Sequence, residues 1–179
     1  MTSLDTATTA DFEGWLVDQL RRDVQMRGEL PGFRHAGGVA AGLLLTYGRL
    51  FTPAPWPDGG DPPGDPGRCY TESVSWAWAS EGELVYVEGM AWDLAFPMEH
   101  AWCGTADGTA RDLTWRRPGR AYLGIPVHAE EATRIMGAQG TPLLYSAEGH
   151  ASRLAVEWAR DGIPAELLAD VGRPVPADG

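Results

Sequence analysis

Three residues, in chain order, have types that together do chemistry: Cys69, His100 and Asp112. A thiol is a weak nucleophile until it becomes a thiolate. Two devices favour that state. The partial positive charge of a helix N-terminus stabilises an anion, and a neighbouring imidazole takes the proton. Cys69 stands where a Pro/Gly-rich stretch gives way to a helical pattern, so the first device is expected there. His100, in a strand pattern, supplies the second. A carboxylate at Asp112 would fix the imidazole tautomer and stabilise its cation. Backbone N–H groups at the helix start would hold the oxyanion of a tetrahedral intermediate.

The elements that position these residues follow from periodicity. A first helix is expected from about Ala10 to Arg27, with Phe12, Trp15, Leu16, Leu20 and Val24 as its buried stripe. A second apolar segment, about Ala36 to Leu50, also reads as helical. Residues 52–68 hold six prolines, four glycines and three aspartates, which excludes a regular element. A loop this long in a compact domain is usually functional or disordered, and this one ends at Cys69. A third helix runs from Cys69 to near Gly82, with Val74 and Ala77 inward and Trp78 beside them. Strands are expected over Leu84–Ala91, Glu99–Thr105, Ala110–Trp115 and Ala121–Val127. Helices follow over Ala129–Gly137 and Glu148–Asp161, with Leu143–Tyr145 a short apolar link and a last turn at Ala165–Val171. Helices, then an antiparallel sheet, then helices make an α+β class. The expected organisation is a flexible tail over 1–8, one domain over 9–171 and a second tail over 172–179.

Strand parity constrains the site. His100 and Trp102 share one face of their strand, and Ala101 and Cys103 the other. A two-residue turn at Asp107-Gly108 would pair Asp112 with Cys103, on the wrong face. A three-residue loop, Ala106-Asp107-Gly108 with Gly108 left-handed, pairs Asp112 with Trp102 and sets it diagonal to His100. The triad therefore requires the odd-length loop.

The strings Gly67-Arg68-Cys69-Tyr70, Tyr86-Val87-Glu88-Gly89, His100-Ala101-Trp102 and Asp112-Leu113-Thr114-Trp115 resemble the core of the transglutaminase-like superfamily. The match spans roughly residues 67–126, about a third of the chain, and is one of helix-and-strand pattern. The resemblance implies a papain-like arrangement with N-terminal helices on an antiparallel sheet. It implies Cys69 as nucleophile, His100 as general base and acid, and Asp112 as the orienting carboxylate. Leu113 stands where proline is frequent in that family. The chain has neither the flanking β-domains of the animal enzymes nor an acidic loop of calcium-binding spacing. Fold and thiol chemistry are therefore implied, and protein cross-linking is not.

Around this core, Trp56, Arg68, Tyr70, Glu88 and Trp102 are the expected substrate-binding residues. Trp56 and Arg68 are candidate oxyanion helpers, and Trp56 or Trp102 is expected to touch substrate. Glu88 is placed either to bind a substrate amine or to adjust the histidine, with a solvated strand face as the simpler alternative. Trp15, Trp78 and Trp158 fit helical core positions. His35, His128 and His150 have no evident partner. Other readings of the cysteines stay open. Cys69, His100, Cys103 and His128 are four residues of types that zinc takes, although no Cys-x-x-Cys pair supports that set. A single Cys69–Cys103 disulfide is a further alternative.

Composition bounds the function. The chain has 179 residues, 44% hydrophobic and 22% charged, as in one globular domain. Its net charge is −11, and all 14 basic residues are arginine. An acidic chain without a basic stripe is a poor nucleic-acid binder. The absence of lysine removes Schiff-base mechanisms. No apolar run is long enough to cross a membrane. The first eleven residues lack a leader's basic and apolar regions, which points to a cytoplasmic chain with reduced thiols. The leading expectation is cofactor-free, cysteine-dependent acyl transfer on an amide or ester of a small or peptide-like substrate. The acidic balance slightly favours an amine-bearing one. The alternative is a binding or structural module that keeps the fold without the chemistry.

Overall fold

The computed structural model describes residues 6–29, 36–93, 95–146 and 150–176. Helix α1 spans Thr9–Glu29 and α2 Ala36–Tyr47. Strand β1, Arg49–Pro53, precedes α3, Cys69–Ala79. Strands β2, Leu84–Trp92, β3, Pro97–Thr105, β4, Thr109–Arg111, and β5, Ala121–Val127, follow. Helices α4, Ala129–Gln139, and α5, Arg153–Asp161, precede a two-residue strand β6, Arg173–Pro174. The class is α+β. His35 and the expected helix start at Glu148 lie outside the described residues.

Strand order is β4-β3-β2-β5-β1-β6, and β1 also pairs with β4. That pairing is parallel, Thr52 with Thr109 and Pro53 with Ala110, and it closes the sheet in a barrel-like manner. The sheet is therefore mixed rather than purely antiparallel. The source of the difference is β1. Arg49 and Leu50 read as the tail of the second helix, and Thr52 and Pro53 as part of the irregular loop, but Gly48 breaks that helix and Arg49–Phe51 pair with β5. The expected C-terminal tail differs likewise, because β6 pairs with Arg49 and Leu50. At the other end Thr8 belongs to the helix start: its backbone N–H and its hydroxyl both donate to Asp11, at 2.8 Å.

Two apolar layers result. Inside the closure, Phe51, Val87, Ala91, Trp102, Ala110 and Tyr122 form one cluster. The larger cluster lies between the helices and the opposite sheet face, and includes Phe12, Leu16, Leu20, Tyr86, Cys103 and Ile125. β5 is buried at every position, as a strand covered on both faces must be. In α1 the buried stripe is Phe12, Leu16, Val17 and Leu20, whereas Val24 is exposed. In α3 only Ser73 and Ala77 are buried. Trp78 is 62% exposed, so it is not a core residue. It sits one position past Ala77, about 100° around the helix.

The inner cluster depends on two facing glycines. Gly89 pairs with Gly124 across β2 and β5, and with His100 across β2 and β3. A Cβ on Gly124 would come 2.7 Å from the Trp102 ring, and one on Gly89 2.2 Å from the Leu123 carbonyl oxygen. The space beside His100 is thereby left to the Trp102 indole. Gly89→Ala is expected to cost about 3 kcal/mol or more, since backbone cannot give way as a side chain can. Gly42→Ala, in α2 with nothing within 4 Å of its added Cβ, is expected to stabilise by roughly 0.5–1 kcal/mol through helix propensity. Urea unfolding of both variants checks the opposite signs.

Candidate functional site

The β3–β4 connection is the three-residue loop that the triad requires. Cys103 pairs with Arg111 and Gly104 with Ala110, which leaves residues 106–108 in the turn. Gly108 adopts φ +78°, and its N–H donates to the Thr105 carbonyl at 2.9 Å. Asp107 fixes the turn by accepting from Thr105 Oγ1 and from the Thr109 N–H. β4 ends at Arg111, earlier than the expected strand, because Asp112 turns the chain. Its Oδ1 accepts from the backbone N–H groups of Thr114 and Trp115 at 3.0 and 3.1 Å.

The other carboxylate oxygen, Oδ2, lies 2.7 Å from His100 Nε2. It also accepts from the Tyr122 hydroxyl at 2.9 Å. Tyr122 in turn accepts from the Gly119 N–H at 2.7 Å. The His100 and Asp112 side chains are both only 3% exposed. The imidazole stacks on Trp115, with ring centres 4.1 Å apart and planes 18° apart. Trp102 lies at 6.3 Å and Tyr122 at 6.5 Å. The histidine therefore sits in an aromatic box, and its Nε2 is committed to a carboxylate held by five donors in all. Nδ1 is the ring nitrogen left for a further partner.

Cys69 is the candidate for that partner. Its thiol is half-buried at the first residue of α3. No side chain caps α3 at Arg68, so its first N–H groups keep the donor capacity that an oxyanion needs. Burial alone would pull the imidazole pKa down. The bonds and charges of Asp112 and Cys69 outweigh burial and raise it to about 9. Burial pushes Asp112 up, but the bond and charge of His100 hold its carboxyl below the usual range. Both shifts describe one imidazolium–carboxylate pair.

Glu88 is not on a substrate-facing surface. It is 1% exposed and lies on the opposite sheet face, paired with Ala101 and Ile125. Its carboxylate accepts from Tyr86 Oη at 2.8 Å and from the N–H groups of Leu143, Leu144 and Tyr145 at 2.7, 2.8 and 3.3 Å. It thus anchors the apolar link between α4 and α5. Four donors leave it little capacity for a substrate amine. Trp102 is also corrected: it is fully buried in the inner cluster and supports His100 from behind. Trp56 packs edge-on against Trp76, ring centres 5.9 Å apart. Trp76 is two helical turns from Cys69, about 10 Å along the axis. Arg68 is exposed and reaches Asp65 at 3.5 Å. Tyr70 is half-buried behind Cys69, and burial together with the Glu88 charge raises its pKa.

Tyr122 and Trp115 belong to the constellation and were not among the expected site residues. Parity carries the signal for Tyr122, since Ala91 and Gly124 align it with the His100 face, but the β2–β5 register was needed to see it. The zinc and disulfide readings fail on the same geometry. Cys103 points away from His100, donates to the Ser73 carbonyl at 3.3 Å and is pushed up to about 12 by burial. Both cysteines are free thiols. Among the described residues no three His, Cys, Asp or Glu side chains converge as a metal site.

Glu88→Ala would strand three N–H groups and a tyrosine hydroxyl, at an expected cost of about 3 kcal/mol or more in urea unfolding. The pH dependence has a definite sign. Burial raises Glu88 from 4.5 to about 7, so the folded chain holds a proton that the unfolded chain releases. Stability therefore falls as pH rises through that window. His100, raised from 6.5 to about 9, extends the fall to higher pH. Glu88→Gln is expected to flatten the lower part of the stability profile and His100→Gln the upper part, read by thermal unfolding from pH 5 to 9.5. Unchanged slopes in both variants would contradict these assignments. No family model, curated protein or solved structure matches the chain, and the geometry of the constellation alone carries its functional reading.

Proposed function

We propose that this protein is a cysteine-dependent acyl-transfer enzyme acting on an amide or ester. The observation that carries this reading is the buried His100 Nε2–Asp112 contact of 2.7 Å; Cys69 at an uncapped helix start, among the groups that raise the imidazole pKa, supports it. The order of cysteine on a helix, then histidine and aspartate on and after a strand, also favours a papain-like, transglutaminase-like architecture.

In the proposed reaction the Cys69 sulfur attacks the carbonyl carbon. The oxyanion is held by N–H groups at the start of α3. The His100 imidazolium gives its proton to the leaving nitrogen or oxygen as the carbon–heteroatom bond breaks, which leaves a thioester on Cys69. Neutral His100 then takes a proton from water or an amine, which attacks the thioester and releases the Cys69 thiolate, restoring the imidazolium. Asp112, locked by its five donors, keeps the ring in the tautomer and orientation that both half-reactions use.

Alkylation of Cys69 by iodoacetamide, followed by intact mass across pH, tests the pair. Cys103 is buried and serves as the silent thiol. At about pH 5.5 an unpaired thiol is almost fully protonated and reacts slowly. Cys69 is expected to label rapidly there, and His100→Ala to slow labelling by about 100-fold. An ordinary thiol profile in both chains would overturn the proposal and favour a non-catalytic module of the same fold.

A further inference from the structure

The segment after Asp112 carries Arg116, Arg117 and Arg120, three of the 14 basic residues in a chain of net charge −11. All three line one cavity of about 460 Å³, with Trp115 and Thr114, and Asp93 supplies a carboxylate on its wall. Little neutralises these arginines. Arg116 approaches Asp61 only at 3.8 Å, both side chains being more than 70% exposed, and such surface pairs contribute little. Arg120 lies over the Phe12 ring at 5.3 Å. Among the described residues Arg117 has no ion pair or side-chain hydrogen bond. Three guanidiniums against two carboxylates, Asp93 and Asp61, still leave a local charge opposite to that of the molecule. Guanidinium forks match carboxylate and phosphate oxygens in pairs.

The cavity is joined to the constellation through Trp115. That indole is part of its wall and stacks on His100 at 4.1 Å, so the arginine cluster begins one aromatic ring away from the imidazole. We infer that this cavity seats an anionic group, a carboxylate or a phosphate, on the acyl donor whose carbonyl Cys69 attacks. The inference rests on the acyl-transfer reading and gives it a substrate class. It also separates two scales of electrostatics. The net charge of the chain attracts cations at long range, whereas the arginine cavity selects the donor at short range. An amine acceptor remains compatible with both.

Two measurements keep this inference distinct from the reaction itself. In the first, inorganic phosphate and glutarate are titrated at constant ionic strength, following the Arg117 Nε–Hε resonance, assigned by its loss in Arg117→Gln. A saturable shift is expected, and the anion with the lower half-saturation identifies the group. Shifts that do not saturate for either anion would overturn the inference. In the second, acylation of Cys69 by the anionic mono-4-nitrophenyl glutarate is compared with the neutral 4-nitrophenyl butyrate by intact mass. The anionic-to-neutral rate ratio is expected to fall at least tenfold in Arg116→Gln/Arg117→Gln/Arg120→Gln, and measurably in Arg117→Gln alone. Acylation with an unchanged ratio would overturn the anion site and leave acyl transfer standing. A saturating anion titration with no acylation by either ester would remove the acyl-transfer reading, and with it the assignment of the anion to a donor.

Discussion

A charged histidine and a carboxylate share a nearly dry space between β3 and the turn after β4, and the surrounding structure is arranged to make that tolerable. A buried ion pair costs more in lost hydration than its attraction returns unless its remaining valences are satisfied. Here they are. Asp112 takes two backbone N–H groups, the Thr114 and Tyr122 hydroxyls and the imidazole. The imidazole has aromatic faces around it, and the stack on Trp115 suits a cation. The inner cluster, the glycine pair beside His100 and the three-residue turn all serve to hold this arrangement.

Glu88 meets the same problem on the other sheet face with a different outcome. Its four donors include no cation, so burial prevails and its pKa rises to about 7. Asp112, with a histidine at 2.7 Å, goes the other way. Two carboxylates on neighbouring parts of one sheet thus become a structural anchor and the partner of a buried imidazole. What separates them is the charge of the nearest donor, since both are well supplied with hydrogen bonds.

Charge is also distributed unevenly over the molecule. Acidic side chains dominate the composition, yet three arginines gather on the short segment that leaves the constellation for β5. That segment is held at both ends: Asp112 accepts from the Thr114 and Trp115 N–H groups, and the Arg120 N–H donates to the Trp92 carbonyl at 2.7 Å. The arginines therefore stand on a fixed base beside the aromatic box. Net charge alone does not disclose this local positive cluster.

Much was legible in the order of residues. Cys69 after a Pro/Gly loop at a helix start follows from local backbone chemistry, because proline and glycine end regular structure and the pattern beyond them repeats helically. Strand parity with the Asp107-Gly108 turn restricted Asp112 to one loop length if it was to share a face with His100, and β-turn stereochemistry is local enough for that argument to hold. What lay beyond local reach were contacts between segments distant in the chain. Arg49–Pro53 straddles the end of an apolar helical pattern and the start of a proline-rich stretch, and only pairing with β5 and β4 makes it a strand and closes the sheet. Glu88 and Trp102 carry side chains suited to substrate, but burial is a property of what packs over them, here the α4–α5 link and the inner cluster. Tyr122, Trp115 and the arginine cavity join the site through register and stacking across the fold. The sequence by itself determined which groups were available for chemistry and on which local elements they sit. The tertiary structure decided which of them meet, because hydration, charge pairing and stacking depend on neighbours that no local pattern specifies.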